Sequence, residues 1–281
     1  MANNWGKIYE STAWGSGVTD NNISWGKSYA DLAGGGGFDA DYQAVLDRAS
    51  SLGYTAPSAA QQTLQNTLVT DLKTAGVWDK LDVFYVFATD GDSDYATLNW
   101  KTPTSFQTTK VNSPTFTANS GFTGDGSSSY LNTNYNPATS GANYTLNDAS
   151  ISIWNNTFIL NNFITGVNDS AYNCLRMSVG SANIRINMDI NSLSPVVDFS
   201  DSNKTFRQLN RTSSTNVTAF QNTTSTTHSG ASTSIEGQNQ LILKASSFYS
   251  STEVAFFAMG ASLVSENADF YSALNTYKSA L

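Results

Sequence analysis

"LDVFYVFATDGDSDYATLNW", residues 81–100, is where the pattern of this 281-residue chain changes. Before it, apolar residues recur at helical spacing. From it onward they come in short runs of β-branched and aromatic residues separated by Asn, Asp, Gly and Ser. ASISIWNNTFIL (149–160), NIRINMDI (183–190), NVTAFQN (216–222), NQLILKA (239–245) and EVAFFAMGASL (253–263) continue the pattern. Roughly ten such runs, spaced by about 8 to 20 residues, predict an antiparallel β-sandwich.

On the N-terminal side of this switch lie two short helices. In FDADYQAVLDRASSL (38–52), Tyr42, Val45, Leu46 and Ala49 fall at helical spacing behind an Asp39 cap, and Gly53 ends the run. In PSAAQQTLQNTLVTDLKTAG (57–76), Ser58 and Gln61 are placed as a capping box, and Leu64, Leu68, Leu72 and Ala75 form one stripe before Gly76. At the other end, SENADFYSALNTYKSAL (265–281) offers Ser265 as a cap and puts Phe270, Leu274, Tyr277 and Leu281 on one face, which should dock on the sandwich. Gly34 to Gly37 break the chain ahead of all this. The expected organisation is therefore an extended arm over 1–37, a helical segment packed on the sandwich over 38–82, and the sandwich with its C-terminal helix over 83–281.

Composition narrows the function. Only 13% of residues are charged, well below the roughly 25% of an average globular protein, and Ser, Thr, Asn and Gly take their place. The net charge of −8 and the lack of any basic run argue against a nucleic-acid partner. The single cysteine, Cys174, cannot form an intrachain disulfide and reads as a small buried hydrophobe on a strand. No apolar run reaches the roughly 18 to 20 residues of a membrane span, and the first residues lack a charged-then-apolar signal pattern. A soluble protein, not exported by the usual route, is expected.

Several phrases point further: GVWDKLDVFYVFATDGDSDYATLNWK, FTGDGSSSYLNTNYNP, NYTLNDASISIW, NRTSSTNVTAFQN and FFAMGASLVSENADFYSALNTYKSAL. Over residues 60–281 they resemble a virion structural family of tailed bacteriophages, notably phages of Bacteroidetes hosts and crAss-like phages. The resemblance implies a laminin-G or concanavalin A-like jelly roll and a place on the phage particle. It implies a location more firmly than a ligand.

The N-terminal arm fits that setting. Trp5-Gly6-Lys7-Ile8-Tyr9 recurs as Trp25-Gly26-Lys27-Ser28-Tyr29, with Trp14 between the copies. Such a segment resembles N-terminal segments of phage tail and fibre proteins. Each indole needs a pocket in which to bury some 150 to 250 Å², and the arm has too little apolar periodicity to make one. Trp5, Gly6, Tyr9, Trp14, Trp25, Gly26 and Tyr29 are therefore expected to dock in other virion proteins or in symmetry mates, with repetition raising the effective concentration.

Candidate sites are few. Asp90, Asp92 and Asp94 alternate as an EF-hand loop begins, yet Tyr95 stands where Gly is needed and Lys101 where a bidentate Glu is needed; only a looser Ca²⁺ site remains open. His228, the only histidine, sits in a polar stretch read as a loop, with no second histidine and no G-x-S-x-G motif. Glu10, Glu236, Glu253 and Glu266 are scattered, and Asp189 and Asp198 lack a partner in sequence, so no glycosidase carboxylate pair is legible. Arg176, Arg185, Arg207 and Arg211 fall in predicted strands and are expected to pair with backbone carbonyls or neighbouring acids. A carbohydrate site wants aromatic faces ringed by amides and hydroxyls; Tyr172 and Asn173, and Phe248 and Tyr249, are the loop aromatics that could supply it.

The combined expectation is a non-enzymatic virion component of tail, baseplate or head fibre. It would be anchored by its arm, would display a lectin-like sandwich to host-surface glycans, and would be homo-oligomeric, with a trimer favoured although no heptad stem fixes the number. The alternatives are a purely structural decoration or collar protein without a ligand, a polysaccharide-degrading enzyme, and a free-standing bacterial lectin.

Overall fold

Asp39 and Ser58 open the two N-terminal helices, as their positions predict. The Asp39 carboxylate accepts the Asp41 N–H (3.0 Å) ahead of α1 (Ala40–Leu52), and the Ser58 hydroxyl accepts the Gln61 N–H (3.4 Å) ahead of α2 (Ala59–Thr74). Gly53 closes α1 in the left-handed conformation at φ 73°. The structure, a computed structural model, describes residues 37–157, 159, 162–168, 174–177, 182–186, 196–197 and 205–281, and the chain from Phe38 to Leu281 folds as one unit.

After α2 the chain turns to strands, beginning at Leu81, two residues ahead of the expected boundary. In order they are β1 (Leu81–Val86), β2 (Thr109–Val111), β3 (Thr115–Thr117), β4 (Gly121–Thr123) and β5 (Tyr130–Asn132). A single helical turn, α3 (Pro137–Ser140), follows, then β6 (Ala149–Asn155), β7 (Asn162–Gly166), β8 (Cys174–Met177), β9 (Ala182–Arg185) and β10 (Val196–Val197). β11 (Thr205–Arg211), β12 (Asn216–Gln221), β13 (Thr224–Ser229), β14 (Leu241–Ile242), β15 (Lys244–Ala245), β16 (Phe248–Tyr249) and β17 (Glu253–Gly260) lead to the final helix, α4 (Asn267–Ser279).

The strands form two antiparallel sheets and a small hairpin. The first sheet has the order β13-β12-β11-β6-β17-β4-β3, with β1 on β17 as well; the second has the order β10-β9-β8-β7-β14-β5-β2; β15 pairs with β16. The chain is thus mainly β, an antiparallel sandwich, as the spacing of apolar runs predicts.

The central strands of the first sheet are covered on both faces. Successive residues of a strand point to opposite sides, so Val83 and Tyr85 of β1 enter the core between the sheets with Ile151, Ile153, Leu209 and Phe257, opposite Leu131, Ile164 and Ile242 of the second sheet. Phe84 and Val86 turn the other way and join Trp154, Phe206 and Phe256 beneath α1, α2 and α4. This produces three layers: helices, first sheet, second sheet. It also explains why β6 and β11 are buried at all seven positions each despite their serines, asparagine and arginines.

The helix layer is fixed by a polar knot. The Gln65 side chain accepts the hydroxyls of Tyr42 and Tyr95 (2.8 Å each) and donates to Tyr277 (3.0 Å) and Thr89 (3.1 Å). Gln61, read as a capping-box partner, instead turns inward: its Oε1 accepts the Thr89 hydroxyl (2.8 Å) and the Asp90 N–H (2.6 Å). Burial pushes the Tyr42, Tyr95 and Tyr277 hydroxyls above their ordinary titration range.

Three local readings are corrected. Ser265 does not cap α4; the cap position is Glu266, whose carboxylate is drawn to Lys80 (2.6 Å) and accepts the Ser265 hydroxyl (3.2 Å). His228 lies not in a loop but on β13, opposite Val217. The described strands number 17, because segments as short as Thr115–Thr117 and as polar as Thr224–Ser229 also pair. Among the described residues no helix is long and apolar enough to cross a membrane.

Candidate functional site

The Asp90–Asp94 loop is a structural clasp. Asp90 accepts the Ser58 N–H (3.0 Å), Asp92 accepts the N–H groups of Thr55 (2.6 Å), Asp94 (3.0 Å) and Tyr95 (2.7 Å), and Asp94 binds the Lys110 ammonium (2.7 Å). Burial raises the Asp92 carboxyl, but the Tyr95, Thr55 and Asp94 donors outweigh it and hold the group below the usual aspartate value. The three carboxylates therefore point to three different partners. Among the described residues no cluster of three or more His, Cys, Asp or Glu side chains is arranged to hold a metal, and Asp90, Asp92 and Asp94, where a looser Ca²⁺ site was expected, are engaged by these donors.

Other polar groups also serve the backbone. Asp82 accepts the Tyr135 hydroxyl (2.8 Å) and the N–H groups of Asn143 (2.8 Å) and Tyr144 (2.9 Å), which fixes the segment after α3. Arg207 donates to Asn155, and Arg211 to the carbonyls of Ile186 (2.9 Å), Gly230 (2.9 Å) and Ser213 (3.2 Å). Glu253 accepts from Asn156 (3.0 Å), and burial lowers the His228 imidazole.

The β15–β16 hairpin is different. The chain leaves β14 through Leu243 at φ 68°, a left-handed conformation that a branched residue adopts only under constraint, and turns again at Ser246 at φ 52°. Both bends are pinned beside β7: the Leu243 N–H donates to the Ile164 carbonyl (2.7 Å) and the Ser246 N–H to that of Val167 (2.6 Å). Ile164 enters the core, and Phe163, half-buried, precedes it where the register of β7 against β8 shifts. The hairpin lays its own aromatics there.

Phe248 packs on Phe163 with ring centroids 5.3 Å apart, and Tyr249 on Tyr130 at 6.1 Å. Beneath them the Lys244 ammonium sits 4.8 Å from the Tyr130 centroid and 5.2 Å from that of Tyr249, and donates to the Asn168 side chain. Lys244 is 6% exposed, whereas Phe248 is 57% exposed. Among the described residues neither the Tyr130 nor the Tyr249 hydroxyl has a hydrogen-bond partner. Lys244 and Tyr249 pair across the hairpin and so share one of its faces, while Phe248 takes the other: one side carries an exposed ring, and the other two phenol hydroxyls, an amide and a sunken cation.

Of the residues singled out from sequence, Phe248 and Tyr249 come together here. Tyr172 and Asn173 lie outside the described residues, as do Trp5, Gly6, Tyr9, Trp14, Trp25, Gly26 and Tyr29 of the arm. Tyr130, Phe163, Asn168 and Lys244 were missed. Lys244 and Asn168 are 76 residues apart in sequence, and only the placement of β7 beside the hairpin joins them.

No family model matches the chain, and no curated protein does. Similar solved structures include the receptor-binding domain of a botulinum neurotoxin C/D mosaic serotype, 13% identical with a TM-score of 0.49, over 70% of this chain and 52% of that one. Another is a Trypanosoma rangeli sialidase in complex with sialic acid, 11% identical with a TM-score of 0.43, over 76% and 39%. The chain spans about half the length of the neurotoxin domain it matches.

Proposed function

We propose that this chain is a saccharide-binding sandwich carried on a virion component of a tailed bacteriophage, with the β15–β16 hairpin as its platform. The observation that carries the binding part is Phe248, an aromatic ring left 57% exposed above a constrained, well-anchored hairpin. Sugar rings present apolar C–H faces edged by hydroxyls, and a lone exposed ring suits such a surface.

A protein partner would need far more. A standard protein interface covers about 800 Å² per side, but the other large apolar side chains exposed among the described residues are Leu52, at the end of α1, and Val264, ahead of α4. Both belong to the helix layer, away from the hairpin's sheet, so among the described residues Phe248 is no part of a broad apolar patch. The weakly charged, hydroxyl-rich composition suits a displayed surface as well.

The virion assignment rests on the sequence phrases quoted above and on the arm. In this reading residues 1–37 anchor the chain to other virion proteins and the assembled copies form a homo-oligomer. A deletion of residues 2–33 should leave a folded protein that no longer enters particles; loss of folding would contradict an anchoring arm.

Binding of the full chain to an array of bacterial surface glycans tests the platform, with Phe248→Ala as its partner. Retained binding in the variant would remove the hairpin from the reading. One feature favours the ligand-free alternative, a decoration or collar protein: β13, at the edge of the first sheet, is almost wholly exposed and carries no carboxylate, lysine or arginine. Uncharged edges of this kind invite lateral pairing.

A further inference from the structure

We infer that Lys244 is the specificity-determining residue of this platform and that the saccharide it takes carries a carboxylate. The inference rests on the platform reading above and adds the chemical class of the ligand.

Lys244 is the charged member of the cluster, and among the described residues its hydrogen bonding is left incomplete. Buried charges in proteins are paired with opposite charges or coordinate metals. The described ion pairs join Lys73 to Asp39 and Asp41, Lys80 to Glu266, and Lys110 to Asp94. Lys244 is more buried than any of these lysines, at 6% exposure, yet has no carboxylate partner among the described residues. Among the described residues its polar and ring contacts are two ring faces and one amide oxygen. Ring quadrupoles offset part of the lost hydration, but an ammonium has three donors and the amide takes only one.

A ligand carboxylate completes the set. It would accept the remaining ammonium hydrogens in charge-assisted bonds, roughly twice as strong as those to a neutral hydroxyl. The chain's net charge of −8 works against long-range attraction of polyanions. Discrimination then resides in the contact itself, one carboxylate to one ammonium, on the face of the hairpin that Lys244 shares with Tyr249.

The test uses the full chain and two matched probes, a uronic-acid oligosaccharide and its methyl ester, which has the same shape without the charge. Titration calorimetry should show the acid bound about tenfold more tightly than the ester, the difference between a hydrogen bond to a charged and to a neutral group. In Lys244→Met, whose unbranched side chain still fills the gap between the rings, that ratio should fall to about one, while Lys244→Arg should keep most of it. Melting curves establish that the variants are folded. Equal binding of acid and ester by the unaltered protein would overturn the inference and leave the platform standing, and so would an undiminished ratio in Lys244→Met. Binding of neither probe would overturn both.

Discussion

Phe248 keeps more than half of its surface in water at the tip of a hairpin held by two left-handed residues. Its contribution to the folded state is correspondingly small, and surface substitutions of this kind usually change stability by no more than about 0.5 kcal/mol. Phe248→Ala should therefore leave the urea midpoint nearly unchanged while weakening saccharide binding by about tenfold or more, as expected when a buried aromatic contact is truncated. A large stability loss would instead make Phe248 a packing residue.

Gly260 shows the opposite pattern. A Cβ there would lie 2.0 Å from the Lys80 carbonyl oxygen, where β17 passes the start of β1. Gly260→Ala forces backbone apart and should cost about 1–3 kcal/mol, as overpacking does, read as a lower urea midpoint with an unchanged slope.

At the scale of elements, the loop between β1 and β2 ties the helices to the sheet through Asp92. Its carboxyl is held below the ordinary aspartate value, about 3.9, despite a burial contribution that raises it. The stabilisation is therefore fully present above that ordinary value and disappears as pH falls through the depressed one. Asp92→Asn places an amide donor against N–H groups, which should cost about 1–3 kcal/mol at neutral pH and flatten the acid limb of the stability curve. Calcium should not raise the melting temperature of the unaltered protein.

Gln65→Leu removes the acceptor of the Tyr42 and Tyr95 hydroxyls. It should destabilise by about 1–3 kcal/mol for each donor left buried and unpaired, seen in denaturant titrations. The helices themselves were legible because caps and a 3.6-residue period are local. Gln61 was misread because the same residue type that closes a capping box can turn into a polar core, and nothing nearby in sequence distinguishes the two. Strands of three residues, such as Thr115–Thr117 or Gly121–Thr123, were illegible for a related reason: their pairing partners, not their composition, make them strands.

Across the whole molecule, the layered order explains what the platform stands on. Helices cover one face of the first sheet, the second sheet covers the other, and the hairpin lies against β7 of that second sheet. Two of the cluster's aromatics were visible in sequence as loop residues. Tyr130, Phe163, Asn168 and Lys244 were not, because β5, β7 and the hairpin are brought together only by the antiparallel pairing of β14 with both strands.

Hydrogen exchange of the full chain, with and without the best-binding glycan from the array, tests the platform most directly. Slowed exchange confined to residues 244–250 and the adjoining 128–132 is the expected result. Protection elsewhere, with those two segments unchanged, would contradict a saccharide site on the hairpin.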